Sequence, residues 1–256
     1  MKRAIVIPCA LAATLLALPA VADSPPPPDG VWLGAGQGGL LISSGNTAST
    51  SFNAKLDLAR SNGPWKNILF FGGLYGKSNG ITSGERMEGR YQLNRMINER
   101  MFWFGSLSAV RDLFSGFAYQ ATASAGLGDK FIDNADTKFS GTLGVGYQRL
   151  ETQQLIKDAS GAVVQRINGG SQGGVVATGS LSYEHKLTAS TKLSDKLFVT
   201  AGSADSTATN DVALAVSIND RLALSVGYGV RYNTKPAAGV KKLDQVETVN
   251  VVYMIK

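Results

Sequence analysis

The sequence predicts an all-β protein, an antiparallel up-and-down transmembrane β-barrel of about twelve strands. Three observations carry this reading. First, the chain repeats stretches of ~10 residues in which apolar side chains alternate with small or polar ones, the length a tilted strand needs to cross a bilayer. The clearest is Leu222-Ala-Leu-Ser-Val-Gly-Tyr-Gly-Val-Arg-Tyr232. Successive side chains of a strand point to opposite faces. Leu222, Leu224, Val226, Tyr228, Val230 and Tyr232 therefore share one face, and Ala223, Ser225, Gly227, Gly229 and Arg231 the other. Second, the connections alternate in length: those after even-numbered strands are short and most of the others are longer. Bacterial barrels have short periplasmic turns and long outer loops. Third, charged residues make up 17% of the 256 residues, below the ~25% of soluble domains. Beyond the N-terminal segment, no run of ~18 apolar residues offers a transmembrane helix.

The N-terminus reads as a secretory signal peptide over residues 1–22. Lys2 and Arg3 start it, an apolar run follows, and Ala20-Val-Ala22 is a small-residue cleavage site. Pro19 interrupts the run, which falls short of the ~20 apolar residues of a span. The only cysteine, Cys9, lies inside it, so the mature chain is expected to hold no disulfide, thiol nucleophile or thiolate metal site. The formal charge of +6 becomes +4 without Lys2 and Arg3. No dense Lys/Arg block suggests a nucleic-acid partner.

Residues 23–30, with Pro25 to Pro28, read as a short polyproline lead-in, and 31–256 as the barrel. The first strand is expected at 32–43 and the second at 50–60, where Phe52, Ala54, Leu56 and Leu58 oppose Ser51, Asn53, Lys55 and Asp57. Asn62-Gly-Pro64 turns into a third strand at 65–77, and 78–84 reads as a polar loop. A fourth strand, 85–96, sets Met87, Gly89, Tyr91 and Leu93 against Glu88, Arg90, Gln92 and Asn94. The turn Asn98-Glu99 leads to 101–112, then a loop at 113–117. The segment 119–131 is small and Gly-rich, and 133–137 turns into 138–150. The longest irregular segment is expected at 152–174. Strands 175–187 and 192–202 follow, with a Ser/Thr/Asp-rich loop at 203–210. The last strands are 211–218, 221–233 and 244–256, joined by the tight turn Asn219-Asp220 and the loop 234–243. Trp65, Trp103 and Tyr253 fall near one end of the strands, and Tyr75, Tyr147 and Tyr232 near the other, as bilayer girdles would.

Several stretches carry a family resemblance. They are Leu40-Leu-Ile-Ser-Ser-Gly-Asn-Thr47, Glu99-Arg-Met-Phe-Trp-Phe-Gly-Ser-Leu107, Arg111-Asp-Leu-Phe-Ser-Gly116, Ala125-Gly-Leu-Gly128, and Arg231-Tyr-Asn-Thr-Lys-Pro236 followed by Lys241-Lys242-Leu-Asp244. In this order the chain resembles the DUF481 family, often labelled YdiY-like or salt-induced outer-membrane proteins. The resemblance implies an outer-membrane barrel of a Gram-negative bacterium, without an established reaction or substrate.

No catalytic, cofactor or metal site emerges from the residues. The sole histidine, His185, shares a face with Leu181, Tyr183 and Leu187, so it points to lipid rather than toward a Ser or Asp. No Gly-x-Ser-x-Gly elbow with partners and no His-based metal set is present. Gly126 and Gly128 read as small positions in the barrel wall. Ten charged residues are expected to line the lumen: Lys55, Asp57, Glu88, Arg90, Asp112, Lys130, Glu184, Lys186, Arg231 and Glu247. They admit two readings, a polar pore for ions or small solutes or a lumen filled by its own salt bridges. Barrels of ~8 strands are filled and those of ~16 are open, and twelve lies between. Mixed signs argue against strong ion selectivity. The expected function is non-enzymatic, a narrow passive channel or an envelope structural protein. The expected partners are outer-membrane lipid and the insertion machinery that would engage the final strand. The rivals are a hydrolase built into the barrel and a secreted soluble β-sandwich.

Overall fold

A computed structural model describes residues 29–43, 49–112, 117–159, 163–203, 205–236 and 241–256; the expected signal peptide and most of the lead-in lie outside these. Twelve strands follow in order: β1 (Trp32–Ser43), β2 (Ser49–Asn62), β3 (Trp65–Ser78), β4 (Ile81–Met96), β5 (Met101–Asp112), β6 (Phe117–Asp133), β7 (Thr137–Lys157), β8 (Val163–Lys186), β9 (Thr191–Gly202), β10 (Ser206–Ser217), β11 (Leu222–Asn233) and β12 (Leu243–Ile255). Each pairs antiparallel with its sequence neighbours, and β12 returns to β1 to close the barrel. The strands are strongly tilted. One row of paired neighbours descends from Gly38 through Val251, Leu224 and Val216 to Thr191. In the other sense it climbs through Ala54, Gly73, Met87 and Arg111 to Tyr119. Tilt of this kind is what closing a sheet of this size requires.

The β11 pattern decides its own orientation. Ala223, Ser225 and Gly229 are buried, whereas Leu224, Val226 and Tyr228 are exposed. The apolar face therefore looks out. The same holds around the wall: Leu143, Val145 and Val175 are each about 70% exposed, and Leu107, Val249 and Met87 about 60%. Water would not tolerate an apolar wall of this extent, whereas lipid matches it. A soluble sandwich would place these side chains inside.

The turns after β4, β6, β8 and β10 share one device. Asn98 Oδ1 accepts from the N–H groups of Arg100 (2.9 Å) and Met101 (2.7 Å). Asn134 accepts likewise from Asp136 and Thr137, and Asn219 from Arg221 and Leu222. Thr188 does the same with its hydroxyl for Ser190 and Thr191. A short polar side chain that satisfies the next two or three N–H groups fixes a tight turn without tertiary help.

Two expected loops are strands instead. Residues 78–84 hold only the turn Asn79-Gly80, with φ of +49° and +79°; an Asn-Gly pair in the left-handed region makes the hairpin turn whose twist suits two strands, so β4 begins at Ile81. The segment 152–174 is not an irregular loop. β7 and β8 pair through it up to Lys157↔Val163. Gly169 and Gly170 are absorbed by a bulge: Gly170 takes φ +91° and its N–H donates to Asn168 Oδ1 at 2.8 Å, opposite the register shift at Thr152/Gln153. Backbone pairing, indifferent to side-chain polarity, carries this ribbon above the wall. The start of β10 is also earlier than expected, at Ser206.

Candidate functional site

The lumen is the site to be judged, and its polar side chains form three levels. At the long-hairpin end, Arg86 bridges two carboxylates in a fork, Asp112 at 3.1 Å and Glu88 at 2.8 Å. Arg231 pairs in register with Asp244 just below the β11–β12 connection. At mid-height two ion pairs join strands that are not neighbours. Lys55 of β2 lies 3.5 Å from Asp211 of β10, and Lys196 of β9 lies 3.1 Å from Asp57 of β2. Both therefore cross the lumen, and they hold its walls within the reach of one lysine plus one aspartate. Between them the Arg90 guanidinium stands 4.5 Å from the centre of the Phe198 ring on β9 and 5.7 Å from that of Phe70 on β3. At the short-turn end, Glu184 meets Lys192 at 3.3 Å, and Asp133 meets Lys130 at 3.0 Å and Lys138 at 3.7 Å. Lys186 pairs in register with Lys192 on the same face.

The mid-lumen pairs are not dry. The side chains of Lys55 and Asp211 are 25% and 43% exposed, and those of Lys196 and Asp57 51% and 36%. Water-sized space therefore surrounds charges that sit halfway along the barrel.

Nine of the ten expected residues are accounted for at these three levels. Glu247 is a correction. It pairs with Tyr228 and sits in the same phase as the exposed Val249 and Val251, so it stands on the outer wall. The phase of β12 decides this: Asn250 is buried, so the even-numbered positions face in. The structure also adds Arg86, Asp133, Lys138, Lys192, Lys196, Asp211 and Asp244, none of which is among the ten expected. Arg86 continues the phase of Glu88 and Arg90 by one step, and Lys192 and Lys196 share the phase opposite Leu193 and Leu197.

The outer wall carries aromatic side chains at the levels where a bilayer surface would lie. Near the short turns Trp65 and Trp103 meet edge to face at 5.9 Å, and Phe131, Phe139, Tyr183 and His185 form a continuous run. His185 belongs to this belt. Its Nδ1 lies 2.8 Å from Thr137 Oγ1 and its ring stacks on Tyr183, and no carboxylate among the described residues is bonded to it. No group of three or more metal-ligating side chains occurs among the described residues. A depression of about 550 Å³ lies in the wall around Phe71, Gly89, Tyr91, Leu107 and Ala123, but it opens outward, away from the lumen.

The family model described as "Protein of unknown function, DUF481" matches residues 37–255. The chain belongs to the DUF481 family. It is 26% identical over 230 residues to the uncharacterized protein YdiY of Escherichia coli K12, across 84% of this chain and 80% of YdiY. Among solved structures it is similar to the NanC porin, at 10% identity and a TM-score of 0.47, over 88% of this chain and 99% of the porin. It is also similar to an outer membrane channel from Pseudomonas putida F1, at 11% identity and a TM-score of 0.47, over 93% and 98% of the two chains.

Several of the stretches that resemble DUF481 can now be given physical work. Phe102 and Phe104 of β5 point inward and are nearly fully buried. A Cβ on Gly128 would overlap the Phe102 ring, and one on Gly144 would lie 2.9 Å from that of Phe104. Gly128 of the Ala-Gly-Leu-Gly run thus makes room for one ring of the Met-Phe-Trp-Phe run beside it, and Gly144 of β7 makes room for the other. The stretch 231–236 ties down its neighbouring connection: buried Asp205 accepts from Thr234 Oγ1 at 2.9 Å and from the N–H groups of Ser206 at 2.8 Å and Lys235 at 3.1 Å. These DUF481 residues shape the barrel.

Proposed function

We propose that this protein spans the outer membrane of a Gram-negative bacterium as a non-enzymatic barrel, with a narrow passive passage for small hydrophilic solutes through its lumen. The observation that carries the reading is the water-exposed state of the two ion pairs that cross the lumen at mid-height. A passage that admits water around fixed charges of both signs can admit small ions, and its width is set by those pairs. The exposed apolar wall and the two levels of aromatic side chains support insertion in lipid. The position of the only histidine on the outer wall supports a non-catalytic role. Outer-membrane lipid and the insertion machinery are the partners this reading requires.

Single-channel recording of the refolded protein in planar bilayers tests it. Small discrete conductance steps are expected. Removing both cross-lumen pairs with Asp57→Ala and Asp211→Ala should raise the conductance. Silence from both proteins would overturn the passage and favour a sealed envelope barrel held by its own salt bridges, the role the same pairs would then play.

A further inference from the structure

The three levels of the lumen differ in charge as well as position. The upper level sets Arg86 and Arg231 against Glu88, Asp112 and Asp244. The middle level sets Lys55, Arg90 and Lys196 against Asp57 and Asp211. The level at the short turns is different. Lys130, Lys138 and Lys192 already engage two carboxylates, Asp133 and Glu184.

Two further lysines stand there. Lys186 ends β8 one step beyond Glu184 on the same face. Lys66, the second residue of β3, lies in the phase opposite the exposed Trp65 and Phe71, and so faces the lumen. It lies in the electrostatic field of Lys130, Lys138, Asp133 and Glu184. Neither Lys66 nor Lys186 has a carboxylate within ion-pair reach among the described residues. Asp136 adds a third carboxylate in the turn beside Lys186, without an ion pair to it, and five lysines against three carboxylates still leave an uncompensated positive charge. A mouth with a net excess of one sign within a low-dielectric wall focuses the field and concentrates counter-ions. Lysine ammonium groups suit this role, being compact point charges that attract hydrated anions without fixing their geometry.

We infer that the short-turn mouth of the lumen is an anion-binding vestibule, with free Lys66 and Lys186 as its recruiting charges, and that its ligands are small inorganic or carboxylate anions. The inference builds on the passage proposed above and names its substrate class. It also revises the expectation of weak selectivity from mixed charge. The signs are mixed along the whole lumen but segregated by level, and an ion meets the levels one at a time.

Two measurements test it, and only one needs conduction. The reversal potential across a KCl gradient should report a preference for chloride over potassium of about threefold or more. Lys66→Gln with Lys186→Gln should abolish that preference, and Lys66→Glu with Lys186→Glu should invert it. Arg149→Gln, on the outer wall, should leave it unchanged. A conducting wild-type protein with no preference, or a preference for potassium, overturns the inference. The second measurement is ³¹P line broadening of inorganic phosphate added to the protein refolded in zwitterionic detergent. Broadening that the double Gln variant loses supports the vestibule, even for a barrel that passes no current; in that case the passage fails and the anion site stands. Broadening equal in both proteins, or absent from wild type, overturns the site.

Discussion

The barrel is closed by two very different pieces of wall. The β7–β8 hairpin is paired from Thr137↔His185 all the way to Lys157↔Val163, and its upper part rises past its neighbours: β9 pairs with β8 only from Val176 toward the short turns. The β1–β12 seam is paired only from Gly34↔Ile255 to Gly38↔Val251. The hairpin joins segments adjacent in sequence, so little loop-closure entropy opposes it. The seam joins the two ends of the barrel and must close the largest loop in the fold. It is also where side chains take over from backbone. Gly39 leaves space through which Asn53 of β2 donates to Asn250 Oδ1 of β12 at 2.7 Å, passing over β1 entirely. Length of pairing is thus a poor guide to where the fold is vulnerable. The short seam holds the barrel shut, and the tall part of the hairpin holds only itself.

The largest contrast should come from charge placed on the outer wall beside the seam and on the raised hairpin. Val226→Arg, opposite Val249 of β12, puts a cation in the hydrocarbon and should cost about 2–4 kcal/mol in unfolding titrations in lipid vesicles. Val164→Arg, on the raised part of β8, should stay within about 0.5 kcal/mol. Equal losses would mean that the raised hairpin also lies in lipid.

Next in size is steric closure of the seam. A side chain at Gly39 would meet the Val249 carbonyl at 2.5 Å and Asn53 Oδ1 at 2.7 Å. Gly39→Val should therefore cost about 1–3 kcal/mol and lower the temperature at which the folded band disappears on gels. Gly73, with open space around its missing side chain, supplies the comparison: Gly73→Ala should leave the band unchanged. A smaller loss, about 1 kcal/mol, is expected for Asn53→Ala, which strips the buried Asn250 amide of its 2.7 Å donor. A loss at Asn53 as large as that at Gly39 would make the asparagine pair, rather than backbone approach, the main closure of the seam.

The smallest effect should come from the tip of the hairpin. An epitope tag inserted after Ala159 should leave folding intact and be reached by antibody on intact cells, whereas a tag at Asn219-Asp220 should appear only after permeabilisation. The opposite pattern would invert the barrel in the membrane.

Much of this architecture was legible from the chain because period-two alternation is a local signal that needs no partner. Leu222 to Tyr232 announces its own inner and outer faces, and Asn98, Asn134 and Asn219 announce their turns. Polar segments misled the reading where backbone pairing does not depend on side-chain character, as in the upper β7–β8 ribbon and at Asn79-Gly80. Facing alone could not say what the lumen does. Lys55, Asp57 and Arg90 point inward by local rule, but that Lys55 finds Asp211, Asp57 finds Lys196 and Arg90 finds Phe198 depends on tilt, register and the closure of β12 on β1. Those are properties of the whole ring. The sequence by itself determined a membrane-type wall with a charged interior; only the tertiary structure decided which charges meet across the lumen, and which two lysines at its mouth have no carboxylate within ion-pair reach among the described residues.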